Sequence, residues 1–178
     1  MVMAGNRSGS DPSIRLATER DLNRISEIER LSFEKQWDDH KFKTALNDVF
    51  LVFEEAEVLG FLSACCSAVA NTAVILKIAV HPDHRGRGIA TRLISAVLAS
   101  FEKLEVTEVE LHVDIVQRGA IQLYERFGFQ IRKVVTANYE EDESFYEMKL
   151  QLNSGWRARV GSGTILKRSQ EGPGQRSG

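Results

Sequence analysis

Between Ser13 and Leu152 the chain switches repeatedly between two hydrophobic periods. "SIRLA" reads as a short first strand. Thr18 then precedes a run in which Leu22, Ile25, Ile28 and Leu31 return every three residues along one helix face, and Asp21 completes a capping-box pattern. Asp38 sits where it can cap a second, shorter helix carrying Phe42 and Leu46. "VFLVFEEAEVLGFLSACCSAV" reads as two strands around an acidic turn. "AVILKIAV" reads as a third, apolar on both parities, which requires burial of both of its faces. The spacing then predicts a helix over "IATRLISAVLASFEKL", a strand over "EVELHV", and a helix over "GAIQLYERFG" stopped by Gly128. Two closing strands follow, "FQIRKVV" and "SFYEMKLQL".

The predicted order is β-α-α-β-β-β-α-β-α-β-β. Strands joined through helices imply an α/β fold: a mixed, largely buried sheet of about seven strands flanked by about four helices on both faces. This unit spans residues 13–152. Residues 1–12 and 153–178 lack either period, and the second stretch holds six of the 13 glycines, so both are expected to be disordered segments flanking one domain.

Charge sharpens the picture. The formal net charge is -2, but the first 152 residues carry 18 basic against 24 acidic side chains. Phosphate contact needs a basic face, so an acidic body is not expected to bind nucleic acid specifically, and the basic tail could touch one only weakly. Cys65 and Cys66 are adjacent and are the only cysteines, which disfavours a disulfide and fits a reducing compartment. No stretch reaches the roughly 18 apolar residues of a membrane span, and "MVMAGNRSGSDPS" has no signal-peptide pattern, so the expectation is a cytoplasmic protein with no membrane partner.

The candidate chemistry lies at "HPDHRGRGIA", residues 81–90, between the most apolar strand and the longest amphipathic helix. A helix entered through "RGRGIA" presents unpaired N–H groups at its positive end, where an anion is favoured. Gly86 and Gly88 allow close approach, and Arg85 and Arg87 add charge that a phosphate could use. A plain glycine-rich connection with solvated arginines remains the alternative. His81 and His84 lack companions at metal-ligand spacing, so no metal is expected.

"AVHPDHRGRGIATRLI" resembles the acetyl-CoA-binding motif of the GNAT N-acetyltransferases, Arg/Gln-x-x-Gly-x-Gly/Ala, with Arg85, Gly88 and Ala90 at the specified places. "IERLSFEKQW", "LHVDIVQRGAIQLYERFGF" and "VVTANYEEDESFYEMKL" are similar to further segments of the RimI-type and N-alpha-acetyltransferase branch, so the likeness covers nearly the whole unit. It implies the GNAT fold, acetyl-CoA as donor, and a pyrophosphate held by the main-chain amides of Arg85, Gly86, Arg87, Gly88, Ile89 and Ala90. By the same resemblance Ala79 and Val80 bond the pantetheine arm, and the Val80 N–H serves the thioester carbonyl, where negative charge grows on attack.

The resemblance also places Tyr124 as the acid toward the leaving thiolate. It places His112 where many relatives carry a glutamate proposed as the base. A half-buried structural tyrosine and a structural strand histidine are the alternatives. Gln117 replaces an asparagine that helps hold CoA, and Asp114 replaces an arginine. Phe33, Trp37 and Tyr139 match the acceptor side, although Phe33 and Trp37 serve equally as core anchors of their loop. The run 139–143, "YEEDE", either draws a cationic acceptor or is a solvated turn.

A protein α-amine has a pKa of about 7.7–8.0 against about 10.4 for lysine, so an α-amine supplies its neutral, attacking form far more readily. The implied function is acetyl transfer to a protein or peptide amine, foremost an N-terminal α-amine such as that of a ribosomal protein. A small amine or amino-acid metabolite as acceptor, and a silent acetyl-CoA-binding module, remain as alternatives.

Overall fold

The structure, a computed structural model, describes residues 11–136, 144–153 and 155–157. Its strands are β1 (Ser13–Leu16), β2 (Val49–Glu54), β3 (Val58–Ser67), β4 (Thr72–Val80), β5 (Glu108–Asp114), β6 (Gln130–Thr136) and β7 (Ser144–Gln151). The helices are α1 (Leu22–Arg30), α2 (Asp39–Ala45), α3 (Ile89–Lys103) and α4 (Arg118–Phe127). The chain order is the one the hydrophobic periods predict, and the seven strands form one sheet ordered β1-β2-β3-β4-β5-β7-β6.

Each helix takes its place for a local reason. Asp38 accepts a hydrogen bond from the Lys41 N–H at 2.8 Å and so starts α2. Gly128, at φ 97°, stops α4 in a conformation other residues resist. Thr18 opens a 3-10 turn, Glu19–Asp21, rather than α1 itself. The Asp21 carboxylate accepts from the Thr18 N–H and hydroxyl and from both terminal nitrogens of Arg15, which also reaches Glu54.

Hydrogen bonds from Arg15 hold the Asp21 carboxyl down at about 2, below its ordinary 3.8. A depressed carboxyl contributes stability that is complete above its unfolded value and lost as pH falls through its folded one. Asp21→Asn should therefore cost about 1–2 kcal/mol at pH 6, screened by the exposure of Arg15. The difference should shrink toward zero at pH 2; urea unfolding of both proteins across that range checks it.

Two cores sit on opposite faces of the sheet. One joins α3 and α4 to the inner residues of β2 to β5 and β7, with Leu93, Val97, Phe101 and Phe127 fully buried. The other packs Ile25 and Ile28 of α1 and Phe42 of α2 on Phe50, Phe61 and Ala79. Packing does not stop at Leu152, where the sequence places the edge of the domain. Trp156 is buried against Phe127, its indole N–H donates to Glu102 at 2.5 Å, and Arg157 pairs with the same carboxylate. The remainder of the two expected disordered segments, 1–10 and 158–178, lies outside the described residues, as does position 154.

Two features of β4 shape the cleft beside it. Its parallel pairing with β5 runs only from Thr72↔Glu108 to Ile75↔Leu111, beyond which the strands part. Its pairing with β3 skips Leu76, since Ser63 faces Lys77 while Ala64 faces Ile75. Such a bulge inverts the alternation. Ala73 and Ile75 face α3 before it, and Val80 faces α3 after it, while Ala79 joins the α1 side.

Candidate active site

The gap between β4 and β5 is roofed by the loop after α1 and by the first turns of α3 and α4. Two clefts, of about 770 Å3 and about 560 Å3, meet there and share Ser32, Phe33, Ile78, Gln117 and Tyr124. The larger runs along the end of β4 to Gly86, Gly88 and Ala90. The smaller crosses Leu76 and Lys77 to His112 and Phe145.

The larger cleft ends in a backbone cradle. Gly86 and Gly88 hold φ of 77° and 75°, the left-handed region that glycine enters without strain. Among the described residues nothing accepts a hydrogen bond from the N–H groups of Gly86 to Ala90, whereas the Arg85 N–H, expected to join them, is taken by the Pro82 carbonyl at 3.3 Å, where the chain closes a 3-10 turn. Five unpaired donors at the start of a 15-residue helix form an anion site. The arginine side chains do not add to it as the sequence suggests. Arg85 turns back to the Val80 carbonyl at 3.2 Å and the Ser32 hydroxyl at 3.1 Å, and Arg87 pairs with Glu55 at 2.7 Å and lies against His84. Their guanidinium groups brace the loop, and the donors that the loop itself leaves facing the cleft are main-chain ones.

The end of β4 supplies the next donors. The His81 N–H donates to the Leu59 carbonyl at 2.9 Å, which makes 59/81 and, by antiparallel alternation, 61/79 the hydrogen-bonded pairs with β3. Ile78 and Val80 therefore aim their main-chain groups at the opposite, splayed edge. This corrects the expectation for Ala79: it lines the cleft, but its main-chain groups belong to the β3 ladder. Ile78, which the motif in the sequence does not single out, takes that place beside Val80. Gly60 permits the arrangement, since a Cβ there would lie 2.9 Å from the Ala79 oxygen and 3.1 Å from Ile89.

Tyr124 stands where the clefts join, 6% exposed, with its ring 5.9 Å from that of Phe129. Burial pushes its hydroxyl up to about 12 from an ordinary 10, so it is a neutral donor at any physiological pH. His112 lies on β5 with its side chain half-exposed to the smaller cleft, Nε2 at 3.6 Å from Glu110 and 3.7 Å from Glu147. These three groups offer ligand atoms within 4.8 Å of one another, but the carboxylates already face Lys149 at 3.2 Å and Lys133 at 2.8 Å, which is a poor setting for a cation.

Gln117 precedes α4 and borders both clefts, while Asp114 accepts the Val116 N–H at 3.0 Å and shapes the turn between β5 and α4. Phe33 borders both clefts, whereas Trp37 borders neither and anchors the loop on Phe42 at 5.6 Å between ring centres. Tyr139 and the acidic run 139–143 lie outside the described residues.

A sequence model of the acetyltransferase (GNAT) family matches residues 21–129, which contain every element from α1 to α4 and the cradle between them. The chain belongs to the acetyltransferase (GNAT) family. Membership carries N-acetyltransferase chemistry with acetyl-CoA as the acetyl donor, and the run of unpaired N–H groups in the cradle suits the diphosphate of such a donor. The chain is 36% identical over 111 residues to an uncharacterised N-acetyltransferase of Methanocaldococcus jannaschii, a match covering 57% of this chain and 49% of that protein. It is 27% identical over 167 residues to an N-alpha-acetyltransferase of Saccharolobus solfataricus, covering 85% of this chain and all of the relative. The fold is shared with the crystal structure of the ribosomal-protein-S18-alanine N-acetyltransferase of Escherichia coli, at a TM-score of 0.73 and 21% identity over 88% of this chain and 99% of that one. Among the described residues no helix is long and apolar enough to cross a membrane.

Proposed function

We propose that this GNAT protein acetylates the N-terminal α-amine of a protein or peptide by direct attack on bound acetyl-CoA. The observation that carries the reading is the meeting of the two clefts at Tyr124: one cleft ends in a cradle for a diphosphate, and the other is open to an acceptor. The similarity to an N-alpha-acetyltransferase along its full length supports the α-amine over other amines. A ribosomal-protein N-terminus is one acceptor within that class, as the name of the E. coli fold neighbour suggests.

Bound acetyl-CoA supplies a thioester carbon open to attack. The N–H groups of Gly86 to Ala90 hold its diphosphate, Ile78 and Val80 offer main-chain groups to the pantetheine arm, and Gln117 borders the same path. The Val80 N–H, which the alternation of the β3–β4 ladder turns toward the cleft, donates to the carbonyl oxygen as charge accumulates there. His112 takes the proton that the acceptor amine must lose, directly or through water. Tyr124 donates a hydrogen bond to the departing sulfur. Phe33, Trp37 and Tyr139 are assigned to the acceptor side, Trp37 through the loop it anchors.

The two thiols support direct attack. Cys65 and Cys66 sit at the far end of β3, border neither cleft, and are pushed up by burial, away from the nucleophilic thiolate. As adjacent free thiols they also fit a cytoplasmic setting.

The test is mass spectrometry of a diverse peptide library after incubation with the protein and acetyl-CoA. Acetyl groups on α-amines with a preferred first residue are expected. Acetylation confined to free small amines would overturn the peptide reading, and acetyl-CoA binding without transfer to any acceptor would overturn transfer itself.

A further inference from the structure

Two opposite charges are buried where the hydrophobic pattern has no place for them. Glu29 lies on the apolar face of α1, four residues after Ile25, and is 1% exposed. Lys77 lies in the apolar strand β4, with its side chain 9% exposed. The bulge at Leu76 brings them together, because without that extra residue Lys77 would project from the other face of the sheet. Its ammonium group instead bonds the Glu29 carboxylate and stands over the rings of Phe33 at 4.4 Å and Trp37 at 5.0 Å. The carboxylate oxygen that receives Lys77 also accepts the Trp37 N–H at 2.8 Å. Three contacts from one loop thus converge on a single ion pair between a helix and a strand.

Burying an ion pair contributes little net stability compared with apolar residues of similar size, so position is the better account of it. The segment that the pair ties down, from Ser32 to Trp37, forms the wall shared by the two clefts through Ser32 and Phe33. Lys77 itself borders the smaller cleft, and its charge is turned away from that cleft toward Glu29. We infer that Glu29 and Lys77 are positioning residues that set the loop after α1 against the acceptor groove and thereby determine acceptor affinity and choice. The inference rests on the acceptor entering by the smaller cleft, as proposed above.

The test compares wild type with Lys77→Met, Lys77→Arg and the double variant Glu29→Gln/Lys77→Met. The double variant removes both charges together and so avoids stranding a buried carboxylate, which could unfold Lys77→Met. Thermal unfolding is expected to show it folded. The acceptor KM should rise about ten-fold, with the acetyl-CoA KM and kcat each within about two-fold, and Lys77→Arg should recover part of the loss by keeping a cation over the rings. A general structural defect would raise both KM values together. Trypsin cleavage after Lys35, inside the tied segment, should be faster in the double variant, and this readout needs no acceptor. A folded double variant with wild-type acceptor KM and wild-type cleavage at Lys35 overturns the inference. If wild type acetylates no peptide, the functional reading fails on its own, and unchanged cleavage at Lys35 still decides against the tether.

Discussion

Tyr124→Phe should turn over about 100-fold more slowly than wild type while binding acetyl-CoA with nearly unchanged affinity. The ring stays, packed against Phe129, and only the hydroxyl is lost. Its role follows from its acidity. A hydroxyl at about 12 cannot give its proton outright to a thiolate whose conjugate acid lies near 8.5, since the transfer is uphill by roughly 5 kcal/mol. It can donate a strong hydrogen bond to the developing negative sulfur, while the proton that neutralises the thiolate is the one the acceptor amine loses to His112, passed on from there directly or through water. The pH profile tests the protonation state that this role requires. A group raised above its ordinary value stays protonated until pH passes that raised value, so kcat should show no falling limb from Tyr124 below about pH 10. Single-turnover rates over pH 6–10, with calorimetric acetyl-CoA affinities for both proteins, check the expectation. An activity within two-fold of wild type would remove Tyr124 from the chemistry.

Gly88→Val should weaken acetyl-CoA binding by about 100-fold and leave a folded protein. A Cβ at this position meets no protein atom within 4 Å, so the fold suffers only from forcing a branched residue to φ 75°, a cost of about 1–2 kcal/mol. The added carbons enter the open space of the cleft, and the strained turn misaligns the N–H groups that form the cradle. Arg87→Ala should weaken binding far less, because Arg87 is engaged by Glu55 and His84. Equal losses in the two variants would show that side-chain charge, not the backbone, holds the diphosphate. Calorimetry with acetyl-CoA and a thermal melt of each variant distinguish these outcomes.

The elements are legible in the sequence because their periods are strong. Ile25 and Ile28 fall at zero exposure as the helix spacing predicts, and Gly128 ends α4 where its residue type requires. The cradle is legible for the same kind of reason, since glycine at Gly86 and Gly88 signals backbone that must approach something closely. The strand from Thr72 to Val80 is legible as buried but not as bulged. Being apolar on both parities, it conceals the point at which the alternation reverses, and with it the place of Ile78 at the splayed edge. Trp156 escapes the domain boundary because glycines around it erase periodicity; a lone tryptophan in such a segment is itself a sign of docking. Glu29 and Lys77 are the other signal available, as two unlike charges each in an apolar run. Only the tertiary fold shows that they meet.

The long helix α3 has a different duty at each end. Its first turn forms the cradle, and Glu102 near its last turn fastens Trp156 and Arg157. Fifteen residues at 1.5 Å each put roughly 22 Å between them. A surface, bead or dye attached through a side chain at position 157 is therefore anchored at the pole opposite the donor site. Immobilised that way, the molecule presents its cleft outward, ready for ligand to be passed over it in flow.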